Sequence, residues 1–148
     1  MFKKLTILMF GSFLCVWCAV SQADVGAALK SLTTAYSGTY QWANSSDLWD
    51  VVVSISDSRA LNDSDIELNG TERFTNRRTQ EIYESKIRAL VNIRTLSFSM
   101  EEIYLEKKDG FMPMVYRGNI SSDLRHIDAE WIDERGRKVL MSLKAIAR

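Results

Sequence analysis

At 148 residues, with 19 basic and 19 acidic side chains, the chain is electrically balanced and long enough for one domain with a sizeable core. The charges are interspersed, and the densest basic clusters, Arg77-Arg78 and Arg135-Gly136-Arg137-Lys138, are too short for a nucleic-acid surface, so no nucleic-acid partner is expected. Both cysteines, Cys15 and Cys18, fall near the start, which leaves the rest of the chain without a disulfide or a thiolate metal site.

Residues 1–23 read as a secretory signal peptide. Lys3 and Lys4 give a basic start, Leu5 to Val20 an apolar run, and Ser21-Gln22-Ala23 small side chains three and one residues before a cut. Cleavage there makes Asp24 the first mature residue and, by removing two lysines, tips the net charge to −2. The competing reading is an uncleaved anchor, but about 20 apolar residues are needed to span and this run is near the lower limit. Leu14 and Trp17 precede the two cysteines, where a bacterial lipoprotein signal wants a small residue, so lipid attachment is not expected. The expected location is secreted or periplasmic, with no membrane span after cleavage.

Residues 24–37 form an N-terminal helix or leader. Val25, Leu29, Leu32 and Tyr36 share one helical face, Asp24 suits the positive end of the helix dipole, and Ser37-Gly38 ends the segment. Packing over a barrel mouth is its simplest role.

Residues 38–148 read as a single β-barrel-like domain. Gly38, Tyr40 and Trp42 alternate with Thr39 and Gln41, and Ala43 to Asp47 is a polar turn. Trp49, Val51, Val53 and Ile55 share a face, Ser56 to Asp65 is rich in Ser, Asp and Asn and reads as a loop, and Ile66, Leu68, Gly70 and Phe74 form a third strand in which Gly70 marks a candidate bulge. Glu81 to Val91 admits a helix, with Ile87, Leu90 and Val91 at helical spacing, but the alternation of Ile87, Ala89, Val91 and Ile93 favours a strand. Leu96, Phe98 and Met100 continue the pattern. The β-branched and aromatic character from Ile93 to Leu105 supports it. Asp109-Gly110 is the strongest short hairpin signal, and Pro113 places the start of the next strand at an edge or bulge. Tyr116, Gly118 and Ile120, then Ile127, Ala129 and Trp131, then Val139, Met141 and Leu143 complete a three-stranded meander. The expected fold is mainly β, an antiparallel up-and-down barrel of about eight strands with a short N-terminal helix; a β-sandwich is the alternative.

Signals for catalysis are weak, and neither a catalytic residue nor a cofactor is expected. His126 is the sole histidine, and alternation puts it on the outer face with Asp128 and Glu130, away from a pocket. Asp57, Asn62, Asp63 and Asp65 lack the ligand spacing and glycine of a calcium loop, and no metal is expected. Glu101 and Glu102 point to opposite faces of a strand and do not form a carboxylate pair. Nucleophile elbows, phosphate-cradling loops and dinucleotide fingerprints are absent. Asn44, Asn62, Asn69 and Asn119 each open an Asn-x-Ser/Thr tripeptide, relevant where the source glycosylates exported proteins.

The aromatics carry more. Tyr40, Trp42, Trp49, Phe98, Tyr116 and Trp131 fall on inward faces, where they either fill a core or line a ligand cavity, and Tyr40, Trp42, Phe98, Tyr116 and Trp131 are the candidate ligand-binding residues. Gly38-Thr39-Tyr40 and the later Gly118…Ile127-Asp128-Ala129-Glu130-Trp131 meander resemble the small secreted barrels of the avidin and lipocalin type. That resemblance implies an up-and-down barrel holding a small, often apolar ligand in its mouth. It departs from the pattern at Tyr40, where those barrels usually place a tryptophan, and no ligand contact carries over. The expected function is thus an exported non-enzymatic barrel that binds a small apolar or amphipathic molecule. The alternative is a protein-interaction module of the cell envelope or secreted space with a filled core, whose partner is an envelope protein.

Overall fold

Period-two alternation produces eight strands: β1 (Ala35–Trp42), β2 (Leu48–Ala60), β3 (Asp65–Asn76), β4 (Ile82–Asn92), β5 (Ser97–Leu105), β6 (Val115–Ile120), β7 (His126–Ile132) and β8 (Lys138–Ala145), preceded by one helix, α1 (Val25–Ser31). These come from a computed structural model that describes residues 24–32, 34–105, 114–132 and 135–146. Residues 1–23, expected to be a signal peptide, the expected Asp109-Gly110 turn and Pro113 lie outside the described residues. Each strand pairs antiparallel with the next, and β8 returns to β1 from Tyr36↔Ala145 to Trp42↔Val139, closing the barrel. Closure excludes the sandwich alternative and removes the unpaired edges that an open sheet would expose. No helix among the described residues is long and apolar enough to cross a membrane.

The N-terminal segment differs from expectation. Asp24 caps α1 by accepting the Gly26 N–H at 2.8 Å, but the helix ends at Ser31 with Leu32 as its C-cap, and β1 already begins at Ala35. Tyr36 therefore belongs to β1 and not to a helical face. Pairing on both sides decides this: Tyr36 lies opposite Val53 of β2 and Ala145 of β8, contacts available only to an extended backbone. Its ring is fully buried, and its hydroxyl donates to the Leu124 carbonyl at 2.8 Å. Burial pushes the Tyr36 phenol up to about 12, so it stays a donor. Leu32 joins the core beside it, with Val25, Ala28 and Leu29 packed against the same cluster.

The stretch from Ser56 to Asp65 is the second correction. Only residues 61–64 form the turn, because β2 runs on to Ala60 and β3 starts at Asp65. Ser56 to Ala60 are all exposed, although Ser58 and Ala60 pair with the buried Leu68 and Ile66, so β3 carries the apolar half of this hairpin and the β2 arm stays polar. Its polar composition mimics a loop although its backbone is paired from Asp57↔Asn69 to Ala60↔Ile66. The register shifts on β2 between Ile55 and Asp57, and Gly70 sits opposite Ile55 at that irregularity. For residues 81–91 the strand reading holds and the helical one fails. Tyr83, Ser85, Ile87, Ala89 and Val91 turn inward, while Leu90 points outward at 42% exposure.

The core is the set of inward positions that this register brings together, and two glycines shape it. A Cβ on Gly38 would lie 1.8 Å from the Ser142 carbonyl oxygen, and one on Gly118 would lie 2.0 Å from that of Asp128. Both are sites where neighbouring backbone crosses over a strand at close range, which a side chain would forbid. The ends of the barrel are unlike. Leu32, Tyr36, Ile93, Ile120 and Leu124 bury the end nearest α1. The opposite end, where β1 leads to β2 and β3 to β4, carries Trp42, Trp49, Tyr83 and Trp131, all half-buried.

Candidate functional site

The tryptophan end is built by the last inward positions of β1 and β7 and the first inward positions of β2 and β4. Trp42 and Trp131 meet edge to face with ring centroids 5.5 Å apart and planes at 85°. Trp49 tilts against Tyr83 at 5.5 Å and meets Tyr40 edge-on at 6.4 Å. Tyr40 in turn packs on Phe74 at 5.2 Å. The Arg137 guanidinium lies over the Trp42 ring, 5.3 Å from its centroid, within cation–π range.

Inside this aromatic frame the barrel holds two carboxyl groups. Glu72 follows Gly70 and precedes Phe74 on the inward face of β3, and it is 0% exposed. Glu102 follows Phe98 and Met100 on the inward face of β5, and it is 5% exposed. Glu102 Oε2 accepts the Met114 N–H at 2.9 Å, and the Tyr116 hydroxyl donates to Oε1 at 3.5 Å. Burial pushes the Glu102 carboxyl up to about 7, and those two hydrogen bonds restrain the rise. Glu72 is pushed well above the usual carboxylate range, first by burial and then by the charge of Glu102. Both of its oxygens, and the Ser85 hydroxyl opposite it in register, have no hydrogen-bond partner among the described residues.

Two tyrosines share this interior. Burial raises Tyr40 and Tyr116, and the charges of Glu72 and Glu102 add to it in both, so all four groups lie within electrostatic reach of one another. The Tyr40 hydroxyl points to the Met114 sulfur at 4.0 Å and the Tyr116 hydroxyl to the same sulfur at 3.3 Å.

Of the five aromatic residues named from the sequence, Tyr40, Trp42, Tyr116 and Trp131 belong to this arrangement. Tyr40 and Tyr116 are buried within it, whereas Trp42 and Trp131 stand half-buried at its rim. Trp131 lies on the same face as Ile127 and Ala129, as alternation requires, but at the end of the barrel and not deep in the core. Phe98 is apart from the others: it begins β5 near the helix end, paired with Val91 and Gly118. The reading that separated Glu101 from Glu102 holds, since Glu101 faces outward and bonds Arg88.

Sequence reasoning missed Glu72, Ser85 and Tyr83 as site residues, and it placed Trp49 on an inward face without counting it a ligand contact. The signal was present, because Glu72 completes the run Gly70, Glu72, Phe74 and Glu102 completes Phe98, Met100, Glu102. A charged residue at a position that alternation assigns to the core deserved more weight than composition allowed it.

His126 is exposed, beside exposed Asp128, whose carboxylate accepts the Ser142 hydroxyl at 2.7 Å; Glu130 instead bonds Lys138. No group of three metal-ligating side chains occurs among the described residues. Two open grooves on the outer wall, of about 640 and 400 Å³, are lined largely by outward residues such as Thr39, Arg117, Asn119 and Leu140 in the first and Leu90 and Ser99 in the second.

No protein-family model and no curated protein matches the chain. Among solved structures it is similar to one described as "De novo design of a fluorescence-activating beta barrel", at 11% identity and a TM-score of 0.49, over 80% of this chain and 97% of that one.

Proposed function

We propose that the protein is an exported, non-enzymatic β-barrel that binds a small apolar or amphipathic molecule at its tryptophan end. The observation that carries this reading is the concentration of Trp42, Trp49, Tyr83 and Trp131, half-buried, around one end of a barrel whose other end is sealed by Leu32, Tyr36 and Leu124. Aromatic rings that are neither sunk in a core nor spread singly over a surface are well suited to cover a ligand. The resemblance to avidin- and lipocalin-type barrels points the same way.

Titration of the protein with an apolar fluorophore, read through tryptophan emission and through energy transfer to the probe, tests the proposal. Saturable one-to-one binding that Trp42→Ala and Trp131→Ala both weaken supports it. A flat titration together with no small molecule retained on purification from the native compartment overturns it. Export is tested separately: the protein recovered outside the cytoplasm should begin at Asp24, the residue that caps α1.

A second reading rests on the outer wall. Leu90, Val115, Ile132 and Leu140 are exposed on outward faces, and Leu140 lines the larger groove, which suits a protein-interaction module of the envelope. Charge substitution at Leu140 should then abolish a complex while leaving probe binding intact.

A further inference from the structure

The geometry points to Glu72 as the interior anchor for the ammonium head of an amphipathic amine, whose apolar body lies among the tryptophans. This deepens the ligand reading above and rests on it.

Three observations lead there. Glu72 is fully buried with both oxygens unpartnered, and the Ser85 hydroxyl paired with it in register is unpartnered too. Native interiors rarely leave such groups unsatisfied, and three unused polar atoms on adjacent strands form a ready site for a ligand donor. A second carboxyl, Glu102, is buried nearby, and the buried polar and charged residues among those described are Glu67, Glu72, Asn76, Ser85 and Glu102, with no lysine or arginine. Two buried acids without an interior cation gain from a cation placed beside them, which stabilises their ionised form. Finally, Glu72 neighbours Phe74 along β3, and the rings of Phe74, Tyr40 and Trp49 pack in turn toward the tryptophan end, where aromatic faces attract ammonium groups.

Tyr40 and Phe74 stand in edge contact and Glu72 is fully buried, so binding of the head requires these rings to shift. Burial without a hydrogen-bond partner favours the neutral, protonated form of Glu72 while no ligand is bound. When the ammonium arrives the carboxyl ionises against it, and that proton leaves to solvent. Glu102, Tyr40 and Tyr116 are the other titratable groups facing this position; the two phenols remain protonated and Tyr116 continues to donate to Glu102.

The experiment compares dodecylamine, dodecanol and dodecanoate, each below its aggregation concentration, by calorimetry at about pH 7.5, where the amine is charged. The amine should bind roughly 10-fold or more tighter than the alcohol, since a charge-assisted hydrogen bond is worth at least that ratio, with the carboxylate weakest. Heats measured in buffers of different ionisation enthalpy should reveal proton release for the amine alone. Glu72→Gln should erase both the preference of amine over alcohol and the proton release; circular dichroism confirms its fold. Equal binding of amine and alcohol, or a preference that survives in Glu72→Gln, overturns the amine assignment and leaves the ligand reading standing. Should Glu72→Gln fail to fold, the wild-type proton release decides, and its absence overturns the assignment. Failure of all three probes overturns both readings.

Discussion

Trp42 and Trp131 flank the same residue, each lying opposite Val139 of β8 from one side, and their rings meet edge to face 5.5 Å apart. They hold the first and seventh strands to the eighth at the end where the barrel is least buried. Such a pair contributes about 0.5–1.5 kcal/mol beyond the area it covers. A double-mutant cycle with Trp42→Ala and Trp131→Ala, followed by urea melts, should therefore give a coupling energy in that range. Because Trp131 is half-buried, its truncation alone should cost about 2 kcal/mol, below the roughly 3–5 kcal/mol of a fully buried ring.

The buried carboxyls set an unusual pH dependence. A carboxyl whose folded pKa is raised favours the folded state fully below the unfolded value of 4.5, and the advantage fades as pH rises toward the folded value, about 7 for Glu102. Stability should thus fall between about pH 4.5 and 7 by roughly 3 kcal/mol from this group. Glu72 adds to the loss in the same direction. Urea midpoints across that window check the sign. Glu72→Gln should flatten the curve.

Gly118 tolerates no side chain where β6 crosses β7. Its Cβ would sit 2.6 Å from the Ala129 Cα as well as against the Asp128 carbonyl, and both neighbours are backbone. Gly118→Ala should destabilise by about 3 kcal/mol, the upper part of the range for overpacking, as read by thermal denaturation.

The helix end offers a smaller test. Tyr36→Phe keeps the ring but leaves the buried Leu124 carbonyl without its donor, at a cost of about 1–3 kcal/mol. Hydrogen exchange should rise around residues 121–125 first. His126→Ala, on the exposed face, should stay within about 0.5 kcal/mol of the parent in the same melts.

Alternation alone determined that this chain is a mainly antiparallel β protein and which side of most strands turns inward. Val51 and Val53, Ile87 to Val91, Ile127 and Ala129, and Val139 to Leu143 have no other way to bury their apolar groups together. It also placed Tyr40, Trp42, Tyr116 and Trp131 on inner faces. Sequence was silent on depth along the barrel, because period two specifies a face and not a height. Only the register between strands put Phe98 near the helix end and Trp131 at the opposite rim. Local composition misled where tertiary pairing overrode it: Tyr36 fits a helical spacing but pairs with two strands, and Ser56 to Ala60 look like a loop because they are exposed while Ile66 and Leu68 opposite them on β3 supply the buried apolar side chains. The meeting of Glu72, Ser85 and Glu102 was decided by tertiary structure as well. Glu72 and Glu102 are separated by thirty positions in the chain, and only the pairing of β3 with β4 and β4 with β5 carries them into the same buried interior.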